Sequence, residues 1–333
     1  MDWAKGSDRI VEHGVVNATD GQVRWAPVKS LWLGSMTLVV LIAGPLVFSW
    51  SAFAAFLGLT GVTLLAGHSV GMHRRLIHNS FDCPQWLEYS LVYLGVLVGM
   101  SGPFGMMRQH DLRDWAQRKP DCHPFLRHGT STLRDYWWQI HCDLYLDHPP
   151  AFQAEARIRN DRIYLWMERH WMKQQVPLGL ILFALGGWGF VVWGIAARVA
   201  ISVTGHWLVG HFAHDRGAMR WRVNGAGVQG GDVPIAALLS MGESWHNNHH
   251  AYPGSAKLGL DADQPDPGWW FIVILRKLGL AWNIKTPETM ANRDALQRIS
   301  DNNGGCPACH TIQHLRHGIR PAATDDTRHT RLA

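Results

Sequence analysis

Residues 31–70, LWLGSMTLVVLIAGPLVFSWSAFAAFLGLTGVTLLAGHSV, decide the fold, because these 40 consecutive positions contain no Asp, Glu, Lys or Arg. A single membrane-spanning helix needs about 20 apolar residues, so the stretch is long enough for two spans. The turn-forming sequences Gly44-Pro45 and Ser49-Trp50-Ser51 lie near its middle. We therefore predict a transmembrane helical hairpin here, and a buried hairpin of a soluble protein is the alternative.

A second apolar block covers residues 176–209, and Arg198 is its single charged residue. The sequence Gly186-Gly187-Trp188-Gly189 is a plausible bend, so we predict a second hairpin, with Arg198 near a span end and its head group at the interface. A third apolar run, residues 87–107, is interrupted by Gly99 and Pro103. It predicts a helix in or under the membrane interface, and a further crossing is the alternative.

The composition of the whole chain conceals these blocks. A mean hydropathy of −0.09 is that of an ordinary soluble protein. The 31 basic residues exceed the 26 acidic ones by only five and form no long block, which argues against a nucleic-acid-binding protein. Five cysteines without an apparent secretory signal argue against a disulfide scaffold.

The patterns together predict an all-α integral membrane protein with four transmembrane helices in two hairpins and a cytoplasmic helical cap. Basic residues in the middle of the chain place the cap, the termini and the active site in the cytoplasm, at a bacterial inner membrane. The predicted segments are an N-terminal cytoplasmic segment (1–28), hairpin 1 (29–72), a cap segment (73–170), hairpin 2 (171–213), a second cap segment (214–300) and a polar tail (301–333).

Most of the 20 histidines form groups just beyond the cytoplasmic ends of the apolar blocks. Imidazole is a common ligand of Fe, Zn, Cu and Ni. His211 and His214 are three residues apart, as are His246 and His249, which places each pair on one helix face. Groups that converge on one membrane face predict a dimetal site in the cap. Interfacial or pH-responsive histidines are the alternative.

Several of these motifs resemble the membrane-bound acyl-CoA and acyl-lipid fatty acid desaturases. Residues 71–81, GMHRRLIHNSF, resemble the first histidine box of that family, and residues 242–253, GESWHNNHHAYP, resemble its third. Trp207 and His214 match the end of the family's last span, and residues 267–282 resemble bacterial members.

The resemblance implies an O2-dependent enzyme that introduces a cis double bond into a fatty acyl chain by means of two non-haem irons. The ligands that it implies are His73, His78, His110, His214, His246, His249 and His250. Glu243, Asp111 and Asp215 are candidates to orient the rings. The implied partners are the acyl substrate, membrane lipid and a separate electron donor: ferredoxin, rubredoxin, or a cytochrome b5-like protein with its reductase.

The chain departs from the family in the second box, His-Arg-x-His-His. His110 occupies the first position, but Asp111, Arg113 and Asp114 occupy the next three boxed positions, and Gly210 stands where the family often has an Asn. The candidates for replacement ligands are His68, His123, His211 and Asp114. A lipid or hydrocarbon hydroxylase and a non-catalytic metal- or haem-binding membrane protein are the competing functions.

A separate motif, CPACH, occupies residues 306–310. Cys-x-x-Cys-His is the attachment pattern of c-type haem, and a small zinc or redox site is the other metal-binding reading. Haem attachment belongs to the oxidising side of a bacterial membrane, whereas this tail is expected in the cytoplasm. A polar tail without a metal is therefore the default expectation.

Overall fold

Helices form most of residues 8–299, the part of the chain that the computed structural model describes. The helices are α1 (Pro27–Leu46), α2 (Trp50–Val62), α3 (Gln85–Leu97), α4 (Pro103–Arg118), α5 (Thr132–His141), α6 (Ala156–Arg159), α7 (Arg162–His170), α8 (Gln175–Val191), α9 (Arg198–Asp215), α10 (His246–Ala251) and α11 (Pro267–Lys277). Two π-helical stretches, Thr63–Ile77 and Val192–Ala197, continue α2 and join α8 to α9.

Three of the described helical stretches are long and apolar enough to cross a membrane: Pro27–Leu46, Trp50–Ile77 and Met172–Asp215. Many of their large apolar side chains are exposed, as lipid-facing residues are; Leu41 and Leu185 expose about 70% of their surface. The mainly helical, membrane-type fold is thus confirmed.

The third stretch has 44 residues and reverses direction at Gly186 and Gly187, where the backbone leaves helical geometry. A methyl group added at Gly179 would lie 3.1 Å from Cδ1 of Ile195. In a straight helix these residues would be roughly 24 Å apart. The two halves therefore pack against each other.

The first reversal lies between Leu46 and Trp50. Ser49 caps α2, because its Oγ accepts a hydrogen bond from the Ala52 backbone N–H at 3.1 Å. The Trp193 indole N–H donates to the Gly44 carbonyl at 3.2 Å, which joins this turn to the helices after Gly187.

The π-helical stretch Thr63–Ile77 packs closely against α3. A Cβ at Gly67 would lie 2.4 Å from the Leu94 carbonyl carbon, and one at Gly71 would lie 2.6 Å from that of Leu91. Only glycine allows such an approach of two backbones, as in the small-xxx-small pattern of membrane helices. This contact fixes the segment that carries His73.

Arg198 is completely buried, so the prediction that its head group reaches the interface is wrong. Its Nε donates to the Gly194 carbonyl at 2.8 Å, and its other nitrogens donate to the Leu97 carbonyl and the Gln175 side chain. Leu97 ends α3, where free carbonyls and the helix dipole attract a cation. The third apolar run therefore consists of α3, which ends at the contact between Leu97 and Arg198, and the beginning of α4.

The expectation of an all-α protein is wrong in detail, because the described residues include three two-stranded antiparallel sheets. The paired strands are β1 (Ile10–Val11) with β4 (Ala151–Phe152), β2 (Gly21–Trp25) with β3 (Cys142–Leu146), and β5 (Trp221–Val223) with β6 (Leu296–Arg298). These are connecting segments whose backbone groups need partners once they are packed on helices.

Candidate metal centre

Four histidines from four different places in the fold form a first group. His73 lies in the π-helical stretch, His78 follows its end, His110 lies on α4 and His249 on α10. One ring nitrogen from each lies within 4.8 Å of the others. The ring centroids of His73 and His249 are 4.7 Å apart. The structure therefore brings these four predicted ligands together.

The other three predicted ligands, His214, His246 and His250, form a second group with ring nitrogens again within 4.8 Å. His246 and His250 lie one turn apart on α10, and their Nε2 atoms are 3.0 Å apart. His249 joins the two groups, because its ring centroid is 6.0 Å from that of His250. The structure thus contains two adjacent histidine groups.

The rings in these groups are suited to metal binding. Burial lowers the pKa of His250 to about 4 and those of His246 and His249 well below the usual value. Neutral imidazoles have a free nitrogen lone pair for a cation. Nδ1 of His249 is buried and has no hydrogen-bond partner in the described part of the chain. The Nε2 atoms of His78 and His110 face each other at 3.2 Å. A donor set of this chemistry fits a pair of transition-metal ions.

Glu243 holds one ring of the first group. Its Oε2 lies 2.5 Å from Nδ1 of His73, and its Oε1 accepts from the Ser69 hydroxyl at 2.5 Å. Burial raises the pKa of this carboxyl, but His73 and Arg74 more than offset that effect and hold it well below its usual range. A charged carboxylate on Nδ1 leaves Nε2 as the metal-binding nitrogen.

The two other carboxylates predicted to orient rings differ from each other. Asp111 forms an ion pair with Arg9 at 2.6 Å and lies 3.5 Å from Nδ1 of His110. Asp215 pairs with Arg216 on the surface. Asp111 is therefore placed to position a ligand, and Asp215 is not.

Asp114 lies near rings of both groups. It lines a small cavity with His249 and His250, and it pairs with Arg118 at 3.3 Å. Burial alone would raise the pKa of its carboxyl. The opposite effect of nearby His110 and Arg118 is larger, so the pKa lies well below its usual range. Asp114 therefore presents a carboxylate near a ring of each group.

A third cluster consists of His128, Asp135 and His211, all buried. Oδ2 of Asp135 accepts from Nδ1 of His128 at 2.8 Å, from Nδ1 of His211 at 3.0 Å and from the Trp207 indole at 2.8 Å. Burial raises the pKa of Asp135, but the hydrogen bond and charge of His128 outweigh it, and the result is about 2. The carboxylate therefore anchors both rings.

The remaining ring nitrogens of this cluster are also occupied. Nε2 of His128 lies 2.7 Å from an Arg113 guanidinium nitrogen, and Nε2 of His211 lies 3.2 Å from the Thr132 hydroxyl. The cluster is thus a hydrogen-bond network. The His128 ring stacks on that of His214, with centroids 5.3 Å apart. The network consequently borders the second group.

The tentative ligands are placed in different surroundings. His211 belongs to the network just described. Nδ1 of His123 accepts from the Phe125 backbone at 3.1 Å, and the ring faces Trp138. The His68 ring contacts that of His206, with centroids 4.9 Å apart. The structure brings none of the three into either group of ligands. The CPACH motif lies outside the described residues.

Comparison with known proteins agrees with the site. A family model described as fatty acid desaturase matches residues 22–259. The chain is 38% identical to a sn-1 stearoyl-lipid 9-desaturase of Synechocystis over 78% of this chain and 80% of that protein. It is 34% identical to a protein of the same name in Anabaena variabilis, over 81% and 97%. It is also 31% identical to a sn-2 palmitoyl-lipid 9-desaturase of Nostoc, over 78% and 90%.

Proposed function

The chain belongs to the fatty acid desaturase family and is a membrane oxidoreductase, and from this premise we propose that its two histidine groups hold two irons for O2-dependent desaturation. The substrate is a fatty acyl chain linked to lipid or CoA, and the product contains a cis double bond. The convergence of seven histidines from distant segments on two adjacent sites is the observation that carries the proposal.

The irons, when bound, supply the oxidising power that removal of hydrogen from an unactivated methylene requires. The residues of the chain hold and orient them. His73, His78, His110 and His249 bind the first iron. His214, His246 and His250 bind the second. The Asp114 carboxylate, which lines a cavity with His250, is its fourth donor in this proposal. Carboxylate and imidazole together are a common donor set of non-haem iron.

The missing second-box histidines have different replacements in this proposal. Asp114 supplies a ligand, whereas Arg113 supplies a hydrogen bond to His128. His211 has no part in metal binding in this proposal, because Asp135 and Thr132 engage its two ring nitrogens. His123 has none because it lies outside both groups.

We further propose that the chain crosses the membrane four times, in hairpins formed by residues 29–72 and 171–213. The reversals near Ser49 and Gly187 support this count, since each halves a stretch long enough for two crossings. The metal centre then lies on one side, the cytoplasmic face of a bacterial inner membrane. Residues 8–28, 73–170 and 214–298 lie on this side. A separate ferredoxin, rubredoxin or cytochrome b5-like protein supplies two electrons.

The test is iron content of the full-length protein purified in detergent, together with the lipid profile of cells that express it. We expect about two irons per chain and new monounsaturated acyl chains. His73→Ala and His249→Ala should lose iron and activity, whereas His170→Ala, a matched substitution outside both groups, should retain them. Bound metal with an unchanged lipid profile would contradict an enzyme. Hydroxylated chains in place of alkenes would identify a hydroxylase.

A further inference from the structure

A buried arginine from the N-terminal segment lies behind the first histidine group. Arg9, directly before β1, is only 6% exposed. Its Nε and Nη2 donate to the two carboxylate oxygens of Asp111 at 2.6 and 3.1 Å, and Nη2 also donates to the Ile77 carbonyl at 2.7 Å. The guanidinium thus joins the residue that precedes His78 to the residue that follows His110.

The two histidines beside these contacts form a pair of facing rings. The Nε2 atoms of His78 and His110 are 3.2 Å apart, and Nδ1 of His110 lies 3.5 Å from Oδ1 of Asp111. The charge of Arg9 acts on both rings, so the guanidinium lies near each of them. Because His78 follows the π-helical stretch and His110 lies on α4, a link between these segments restricts the distance between the rings.

The surroundings of Arg9 hold its side chain in one place. Its third guanidinium nitrogen, Nη1, donates to Oε1 of Glu155 at 2.8 Å, and its backbone carbonyl accepts from the Gln153 N–H at 2.8 Å. Three residues further along, Oε1 of Glu12 accepts from the Trp115 indole N–H of α4 at 2.6 Å. A buried side chain with all three nitrogens bonded, on a segment attached to α4 at a second point, has little freedom to move.

We propose that Arg9 is a positioning residue of the first metal site, which fixes the separation of His78 and His110 by holding Ile77 and Asp111. The proposal rests on the proposed function, in which both histidines bind the first iron. A metal binds most tightly where its ligands are already in place and are supported from behind. Without the guanidinium, Asp111 is a buried carboxylate that has lost its cation, and the link between the two segments is broken.

The test is a chelator titration of the full-length, iron-loaded protein purified in detergent, with iron per chain measured at each chelator concentration. Arg9→Ala should release one of the two irons at a chelator concentration about tenfold lower than the wild type, the usual effect of losing a partner behind a ligand. The other iron should be retained as in the wild type, because its ligands lie on α9 and α10. Arg9→Met, which fills more of the same space, is a second variant should Arg9→Ala fail to fold.

A double substitution and a control separate positioning from a general loss of stability. Asp111→Asn should release the same iron early, and Arg9→Ala combined with it should shift the release by much less than the product of the two single effects, because both act on one contact. Arg24→Ala is the matched control and should keep the wild-type curve, since Arg24 lies in the same N-terminal segment but is exposed. The melting temperature of each variant is measured in parallel.

Wild-type release curves for Arg9→Ala and Arg9→Met overturn the proposal. Simultaneous loss of both irons with a lower melting temperature also overturns it, because Arg9 would then support the fold rather than one site. Independent effects of Arg9→Ala and Asp111→Asn, or an equal shift in Arg24→Ala, have the same meaning. In each case a wild type with two irons and new monounsaturated chains leaves the proposed function intact. A wild type that binds no iron overturns the proposed function and this proposal with it.

Discussion

Replacement of Glu243 by Gln tests whether a carboxylate outside the ligand set controls metal binding. The Glu243 carboxylate has two tasks: Oε2 binds Nδ1 of His73, and Oε1 accepts from Ser69 and lies 3.4 Å from Arg74 nitrogens. An amide of the same shape has one acceptor and one donor. In either orientation its NH2 group faces a donor, so one of the two tasks is lost.

The expected loss of iron affinity follows from the loss of one of these contacts. Loss of a partner around a metal-ligating histidine typically weakens metal binding by about 10- to 100-fold, or roughly 1.4–2.7 kcal/mol. We expect Glu243→Gln to release iron at a chelator concentration lower by about that factor. The measurement is iron per chain after equilibration of the purified protein with a graded chelator. Glu288→Gln is the matched control, because Glu288 is exposed. Identical release curves for Glu243→Gln and the wild type would refute the reasoning.

Three further substitutions probe packing and ligand assignment. Gly71→Ala should lower the free energy of unfolding in detergent by about 1–3 kcal/mol, because its Cβ would lie 2.6 Å from the Leu91 backbone. Gly61→Ala is the control and should not lower it, because there is open space around Gly61. His211→Ala should retain both irons by elemental analysis even if it lowers the melting temperature, and loss of iron would make this ring a ligand. Asp114→Asn should reduce the iron content from about two toward one, because it removes the charged donor from the group with three histidines; an unchanged content would exclude Asp114 as a ligand.

The long apolar helices were predictable, because a charge-free stretch of 40 residues has few stable alternatives to membrane helices. The environment of Arg198 was not. Its partners, the Leu97 carbonyl and the Gln175 amide, are 101 and 23 residues away in the sequence. No local sequence pattern around Arg198 indicates that the end of another helix lies beside it. The short sheets were missed for the same reason, since strands of two to five residues have no measurable periodicity.

Five of the histidines that form the two groups were predictable, because the first and third boxes are contiguous motifs. Their division into two groups was not, since adjacent His249 and His250 point to different groups and His110 comes from another helix. Asp135 was missed altogether. It lies 76 residues from His211 and belongs to no motif, and only its complete burial beneath three hydrogen-bond donors distinguishes it from a surface carboxylate.

The altered second box and Gly210, four residues before His214, belong to one structural arrangement. A Cβ at Gly210 would lie 3.1 Å from Nε2 of His128, so the space that a side chain at this position would take is occupied by the His128 ring. Arg113, on a second-box position, donates to that same Nε2, while Asp135 accepts from Nδ1. Gly210 leaves room for the His128 ring, and Arg113 and Asp135 hold that ring in place. The His128 ring is thereby fixed against His214. Arg113, at a second-box position without a histidine, thus supports the His214 ring through His128.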